Sequence, residues 1–306
     1  MGPNGYDFPE NTTTILLSMI NLREQAHNYL TIIRFDRPVG TFLILWPTLW
    51  ALWLSAEGLP DTKLLIIFTL GTFFMRSAGC VLNDYADRNI DGSVERTNDR
   101  PLVTGQVSAK EALMLCAALC LLSFLLVLLT NATTIMLSFV AMALAACYPF
   151  MKRHTYFPQV VLGAAFACGT LMAFSAQTGE LPLQVWPLYL ATVLWTVVFD
   201  TFYAMVDRDD DIKIGIKSTA ILFGINDKRI TGLLQGLVIF ILLISGNQFH
   251  LGYYYYGGVA IATGLFIYQQ RLIRNNDRER CFKAFINNQW VGAAIFVGIY
   301  LHFLLN

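Results

Sequence analysis

The chain has 306 residues, of which 56% are hydrophobic and 14% charged, with 21 Lys and Arg against 21 Asp and Glu. Soluble domains carry about 25% charged residues, so this is the composition of a membrane protein. The neutral balance excludes the basic excess of a nucleic-acid binder.

Apolar windows near the length that crosses a bilayer recur at 38–55, 63–82, 108–130, 132–150, 158–177, 184–206, 230–249, 251–270 and 284–305. Nine transmembrane helices are therefore predicted, with breaks at Asn131 and at "GNQFHLG" the least marked. Residues 1–30 are polar and mildly amphipathic, without the basic and apolar runs of a signal peptide, and are read as a cytoplasmic N-terminal segment. Residues 31–306 show no linker or composition break and form one domain. The alternation of an outer-membrane barrel is absent, so the fold class is all-α and polytopic.

With the N-terminus inside, all of the 21 basic residues except Lys63 and Arg76 fall on or next to cytoplasmic loops, as the positive-inside rule requires. The first span follows "RFDRPVG". The second runs into "NDYADRNID" at 83–91, and the sixth into "DTFYAMVDRDDD" at 200–211. Both acidic clusters then lie on the cytoplasmic side. The long polar loops 83–107 and 207–229 follow the second and sixth spans, a faint repeat that sets the clusters opposite each other across a helical ring. The tyrosines of "GYYYYGG" at 252–258 fit an interfacial belt. The six cysteines form no CxxC or Cys/His ligand set, which argues against a zinc site or disulfide framework.

Residues three or four apart share a helix face. Arg76, Asn83, Asp87 and Asp91 form one stripe, and Asp200, Tyr203, Asp207 and Asp211 another. Asp84, Asp209 and Asp210 fall off these stripes and are expected to face water. Two carboxylate stripes approach each other only around a cation. Mg²⁺, which keeps several waters and binds through one or two carboxylates plus phosphates, suits such oxygen-rich sites. Arg96, Arg100, Lys152 and Arg153 supply the remaining charge for a diphosphate. The bland alternative is a solvated acidic loop, which two clusters of matched spacing disfavour. Arg76 lies within a span, where an unpaired charge costs at least ~2.5 kcal/mol. It either pairs with a nearby carboxylate or binds an anionic group in a cavity.

"NDYADRNIDGSVERTNDRPL" and "DTFYAMVDRDDDIKIGIKSTAILFG" resemble the two signatures of the UbiA-type intramembrane aromatic prenyltransferases. With "RFDRPVGTFLILWPTLWAL" they look like the ubiquinone-pathway branch that acts on 4-hydroxybenzoate. The resemblance covers about Arg34 to Gly224 and extends through helix count to the C-terminus. It implies nine helices around a central cavity capped by cytoplasmic loops, in the bacterial inner membrane. It also implies that Asn83, Asp87, Asp91, Asp207 and Asp211 hold Mg²⁺ on a polyprenyl diphosphate. Arg96, Arg100 and Lys152 would contact the diphosphate with Tyr148 nearby, Arg76 would bind the benzoate carboxylate, and Asp200 and Tyr203 would face the cavity. Asp200 is a candidate for taking the ring proton. The alternatives are another aromatic or tetrapyrrole acceptor, or a cation transporter. A transporter would place its acids in mid-span beside helix breaks.

Overall fold

The computed structural model describes residues 23–305; positions 1–22 of the N-terminal segment and Asn306 lie outside the described residues. A short helix, α1, covers 23–32. It is followed by α2 (Val39–Ala56), α3 (Thr62–Asp87), α4 (Ala109–Val127), α5 (Ala132–His154), α6 (Pro158–Thr178) and α7 (Val185–Ile214). The five-residue α8 (Thr219–Phe223) leads into α9 (Asp227–Gln248), α10 (Tyr253–Leu272) and α11 (Arg278–Leu305).

Among the described residues, nine long helices overlap the nine predicted windows. Eight helical stretches are long and apolar enough to cross a membrane, among them Thr219–Gln248 taken as one. The ninth, α10, is 20 residues long, about 30 Å at the α-helical rise. Its tyrosines, together with Gln269, Gln270 and Arg271, keep it out of that set of eight. The chain is thus a multi-pass helical membrane protein.

The breaks have local causes. The Asn131 side chain accepts from the Thr134 backbone N–H at 2.9 Å, which caps α5 and separates it from α4. Ser108 and Glu111 form a capping box at the start of α4. His250, at φ +52°, ends the turn before α10. Only part of the expected tyrosine belt faces outward: Tyr253 is 71% exposed, whereas Tyr255 is buried and donates to the Leu242 carbonyl at 2.7 Å.

Helices α3 and α4, α5 and α6, α6 and α7, and α10 and α11 pack as neighbours, and α2 sits against α3, α6 and α11. The tight core lies on the α2, α7, α9 and α11 side. There the Trp50 and Trp195 rings stack at 5.5 Å. Their indole N–H groups are satisfied in the apolar interior by the Gly292 carbonyl (3.0 Å) and the Asn288 amide oxygen (2.8 Å). Helices α10 and α11 approach closely because Gly258 has no side chain: a Cβ there would stand 2.5 Å from the Ala294 carbonyl oxygen. Gly258→Ala should therefore force the two backbones apart and cost about 1–3 kcal/mol, seen as a lower melting temperature in detergent. An unchanged melt would mean that this contact yields freely.

This one-sided packing leaves a cavity of about 800 Å³ between α2, α3, α5, α6 and α7, which reaches the end where α3, α5 and α7 finish. Its lining is charged at that end and apolar further in, where Ile67, Phe68, Val127 and Met172 line it.

Candidate active site

Helix α3 continues past its apolar run to Asp87, so Asn83 and Asp87, one turn apart, both face the cavity. Asp91 is off the helix: α3 stops at Asp87, and Asp91 opens a short 3₁₀ turn, Asp91–Ser93. The predicted four-residue stripe is therefore three helical positions with one loop residue folded back beside them. On α7 the expectation holds in full. The helix runs unbroken to Ile214 and carries Asp200, Tyr203, Asp207 and Asp211 along one cavity-lining face.

Basic side chains from other elements join the two acidic groups. Lys152, in the last turn of α5, places Nζ 3.1 Å from both Asn83 Oδ1 and Asp87 Oδ2, one turn beyond Tyr148, whose ring centroid is 5.4 Å away. Arg153 donates to the Ala86 carbonyl at 2.8 Å and ties the end of α5 to α3. Arg96 comes from the segment between α3 and α4. It grips both carboxylate oxygens of Asp207, donates to the Tyr203 hydroxyl, and lies 4.4 Å above the Tyr203 ring. Arg100 meets Asp91 at 2.6 Å and Asp84 at 2.9 Å.

Asp84 corrects the expectation that it faces water. Its side chain is 2% exposed and accepts two hydrogen bonds from Arg34, at 2.8 and 2.9 Å, besides its ion pair with Arg100. Asp84 lies one residue round the helix from the Asn83–Asp87 face. There it meets the α1–α2 connection, whose Arg34 has a left-handed backbone (φ +58°). Asp210 departs in the same way: its side chain is 13% exposed and paired with Lys213 and Arg278, while Asp209 is 74% exposed as expected.

Burial sets the electrostatics of the mouth. At Asp91 it raises the carboxyl pKa above the usual range; Arg100 opposes this, and the charges of Asp87 and Asp84 add to it. At Arg96 burial works against the charge, but Tyr203 and Asp207 outweigh it and the guanidinium is held more firmly protonated than usual.

Arg76 lies deeper, where α3 faces α2 and the cavity. No hydrogen bond or ion pair holds its guanidinium among the described residues. Arg76 thus lines the cavity without an ion pair among the described residues. Asp200, 8% exposed on α7, is close enough to Lys152 and Arg76 to feel both charges. The inner wall beside it is aromatic: Phe199, Tyr203, Phe282 and Phe285 line the cavity, with Tyr203 and Phe285 centroids 4.7 Å apart. Composition alone could not select these rings from 22 Phe and 13 Tyr.

Among the polar lining residues absent from the predicted set are Arg34, Arg37, Gln159 and Lys217. The signal for the first two was the basic pair in "RFDRPVG", directly before an apolar span. Lys217 is delivered by a backbone bond from its N–H to the Lys152 carbonyl, 2.9 Å, which no local pattern announces.

The donor set of Asn83, Asp87, Asp91, Asp207 and Asp211 is all hard oxygen, the chemistry of Mg²⁺ sites. Among the described residues no three acidic, His or Cys side chains gather closely enough to hold a metal between them. Asp87, Asp91 and Asp207 are each engaged by a Lys or Arg. Asp211, one turn beyond Asp207, has no ion pair among the described residues. The acids thus line a shared mouth with cations interposed between them.

The model of the UbiA prenyltransferase family matches residues 44–296. A 4-hydroxybenzoate octaprenyltransferase from Pseudomonas aeruginosa (strain UCBPP-PA14) is 55% identical over 285 residues, covering 93% of this chain and 96% of its own. Among solved structures, the apo form of a UbiA homolog from Aeropyrum pernix K1 superposes with a TM-score of 0.76 at 26% identity, over 85% of this chain and 97% of that one. A UbiA homolog from Archaeoglobus fulgidus, bound to GPP and Mg²⁺, shares the fold with a TM-score of 0.65 at 19% identity, over 89% and 99% of the two chains.

Proposed function

Because the chain belongs to the UbiA prenyltransferase family, we propose that it transfers a polyprenyl group from polyprenyl diphosphate to 4-hydroxybenzoate. The new bond forms at the ring carbon ortho to the hydroxyl, giving 3-polyprenyl-4-hydroxybenzoate for ubiquinone biosynthesis. The observation that carries this reading is one cavity that combines an acid-and-base mouth, an arginine further in that no ion pair holds among the described residues, and an apolar interior. A transporter path would instead need acids in mid-span beside helix breaks. Here α3 and α7 run unbroken to their acidic ends.

In this account Asn83, Asp87, Asp91, Asp207 and Asp211 hold Mg²⁺. When bound, the metal neutralises the diphosphate and stabilises it as a leaving group. Lys152, Arg96 and Arg100 turn from their carboxylates toward the diphosphate oxygens, adding charge where it develops as the C–O bond breaks. Arg76 orients the acceptor by its carboxylate, so that the ring lies between the aromatic wall and the allylic carbon. Phe199, Tyr203 and Phe285 present ring faces to the allylic cation. The apolar interior keeps out water that would otherwise capture the cation and receives the polyprenyl tail. Asp200 accepts the ring proton as aromaticity returns, with Tyr148 and Lys152 completing the polar wall opposite. The basic loops support a cytoplasmic position for this mouth, in a bacterial inner membrane.

The test mixes purified protein with labelled 4-hydroxybenzoate and prenyl diphosphates of several lengths, with Mg²⁺ or with excess chelator. Product should form only with the metal and return on its re-addition. Undiminished turnover under chelation would remove the metal–diphosphate account. Transfer to a naphthoate or tetrapyrrole in preference to 4-hydroxybenzoate would replace the acceptor.

A further inference from the structure

Asp200 feels the charge of Arg76, but no hydrogen bond or ion pair aims the guanidinium among the described residues, and a flexible cation lining a cavity needs something to fix its direction. The contact that does so is with a residue lacking a side chain. Gly40, buried in the first turn of α2, lies so close that a Cβ there would stand 2.4 Å from Arg76 Nε, 2.4 Å from Nη2 and 2.8 Å from Cζ. Equal distances to the two nitrogens, with the carbon between them farther off, put that point in front of the Nε–Nη2 edge. This edge of the guanidinium therefore rests against the α2 backbone, and Nη1 points away from it. With one edge covered by α2, the remaining N–H groups are those presented to the cavity.

We infer that Gly40 is a positioning residue for the acceptor: the space left by its missing side chain is the seat of the Arg76 guanidinium, and through it sets recognition of a carboxylate-bearing ring. Nothing else requires glycine here, since the backbone at 40 is helical and does not adopt positive φ. Alanine in an α-helix is intrinsically better than glycine. The usual effect of Gly→Ala on stability and the expected effect on acceptor binding thus have opposite signs. Adding one methyl displaces a charged group that must meet the acceptor carboxylate, and misplacement by about 1 Å in such positioning costs up to about 10²-fold. The diphosphate site lies two turns or more further along α3 and is untouched.

This inference rests on the assignment of Arg76 to the acceptor carboxylate, and four proteins separate the two: the parent, Arg76→Ala, Gly40→Ala and the double variant. Initial rates give the KM for 4-hydroxybenzoate and for geranyl diphosphate, and inhibition constants for benzoate and phenol probe the seat without chemistry. Gly40→Ala should raise the acceptor KM and the benzoate inhibition constant about tenfold or more. The donor KM and the phenol inhibition constant should stay within about twofold, and the melting temperature should be no lower. In the double variant the Gly40 effect should vanish, because both changes act through one guanidinium. If Arg76→Ala leaves the acceptor KM unchanged, the carboxylate assignment fails. If Arg76→Ala raises it but Gly40→Ala does not, or if the two effects simply add, the seat fails while the assignment stands. Should Gly40→Ala alone not fold, the double variant, freed of the clash, is expected to fold; its failure to do so also overturns the seat.

Discussion

Asp87→Ala and Asp207→Ala should each abolish prenyl transfer, with kcat/KM falling by about 10²–10³-fold or more, in proteins that remain monodisperse in detergent. Each carboxylate holds a base in the structure: Lys152 on Asp87 at 3.1 Å, Arg96 on both oxygens of Asp207. Removing an acid frees that base, so a purely electrostatic view of the mouth would expect tighter diphosphate binding. If the acids anchor the metal, the reverse follows: the diphosphate loses its divalent partner and the base alone does not restore the leaving group. The cost to folding is limited because Lys152 keeps its hydrogen bond to Asn83 and Arg96 keeps the Tyr203 hydroxyl. Single-turnover transfer of labelled 4-hydroxybenzoate is the measurement. Near-normal turnover in either variant would mean that the acids serve only to hold the bases.

The second large effect is on stability. Asp84→Ala should lower the melting temperature in detergent by on the order of 10 °C. Its carboxylate is 2% exposed and shared by Arg34, 19% exposed, and Arg100, 12% exposed. Truncation strands the largely buried Arg34 guanidinium and leaves Arg100 with Asp91 alone, and breaking a buried pair in this way costs about 3–5 kcal/mol. The α1–α2 connection is tied to α3 through Arg34, so the same change should loosen the rim of the cavity. Arg100 keeps Asp91 as a partner, so donor binding should weaken without being lost. A melting temperature within about 1 °C of the parent would show that Arg34 and Arg100 reach solvent freely and that the buried cluster contributes little.

The two acidic clusters differed in how far spacing alone could place them. On α7 the intervals of three and four between Asp200, Tyr203, Asp207 and Asp211 held, because nothing in "DTFYAMVDRDDDIKI" stops a helix before Gly215, which adopts the left-handed conformation and caps it. On α3 the same arithmetic overran the helix. It carried Asp91 along as a fourth position and sent Asp84 into water, because a face count has no knowledge of the chain that returns over it. Arg34 precedes Asp84 by 50 positions, and their pairing depends on how the α1–α2 connection folds across the end of α3.

Hydropathy and two long motifs were enough to establish a helical membrane protein and its family, and to nominate the residue types of its site. Each of these is a local or summed property, governed by backbone desolvation in lipid and by side-chain chemistry. Which base meets which acid, which aromatic rings form the inner wall, and the burial of Asp84 were decided by packing. These contacts join positions about 50 to 110 residues apart on separate helices. Periodicity along one helix carries no information about its neighbour. The seat of Arg76 on Gly40 is the clearest case, because it depends on an absent side chain meeting a charge from another helix.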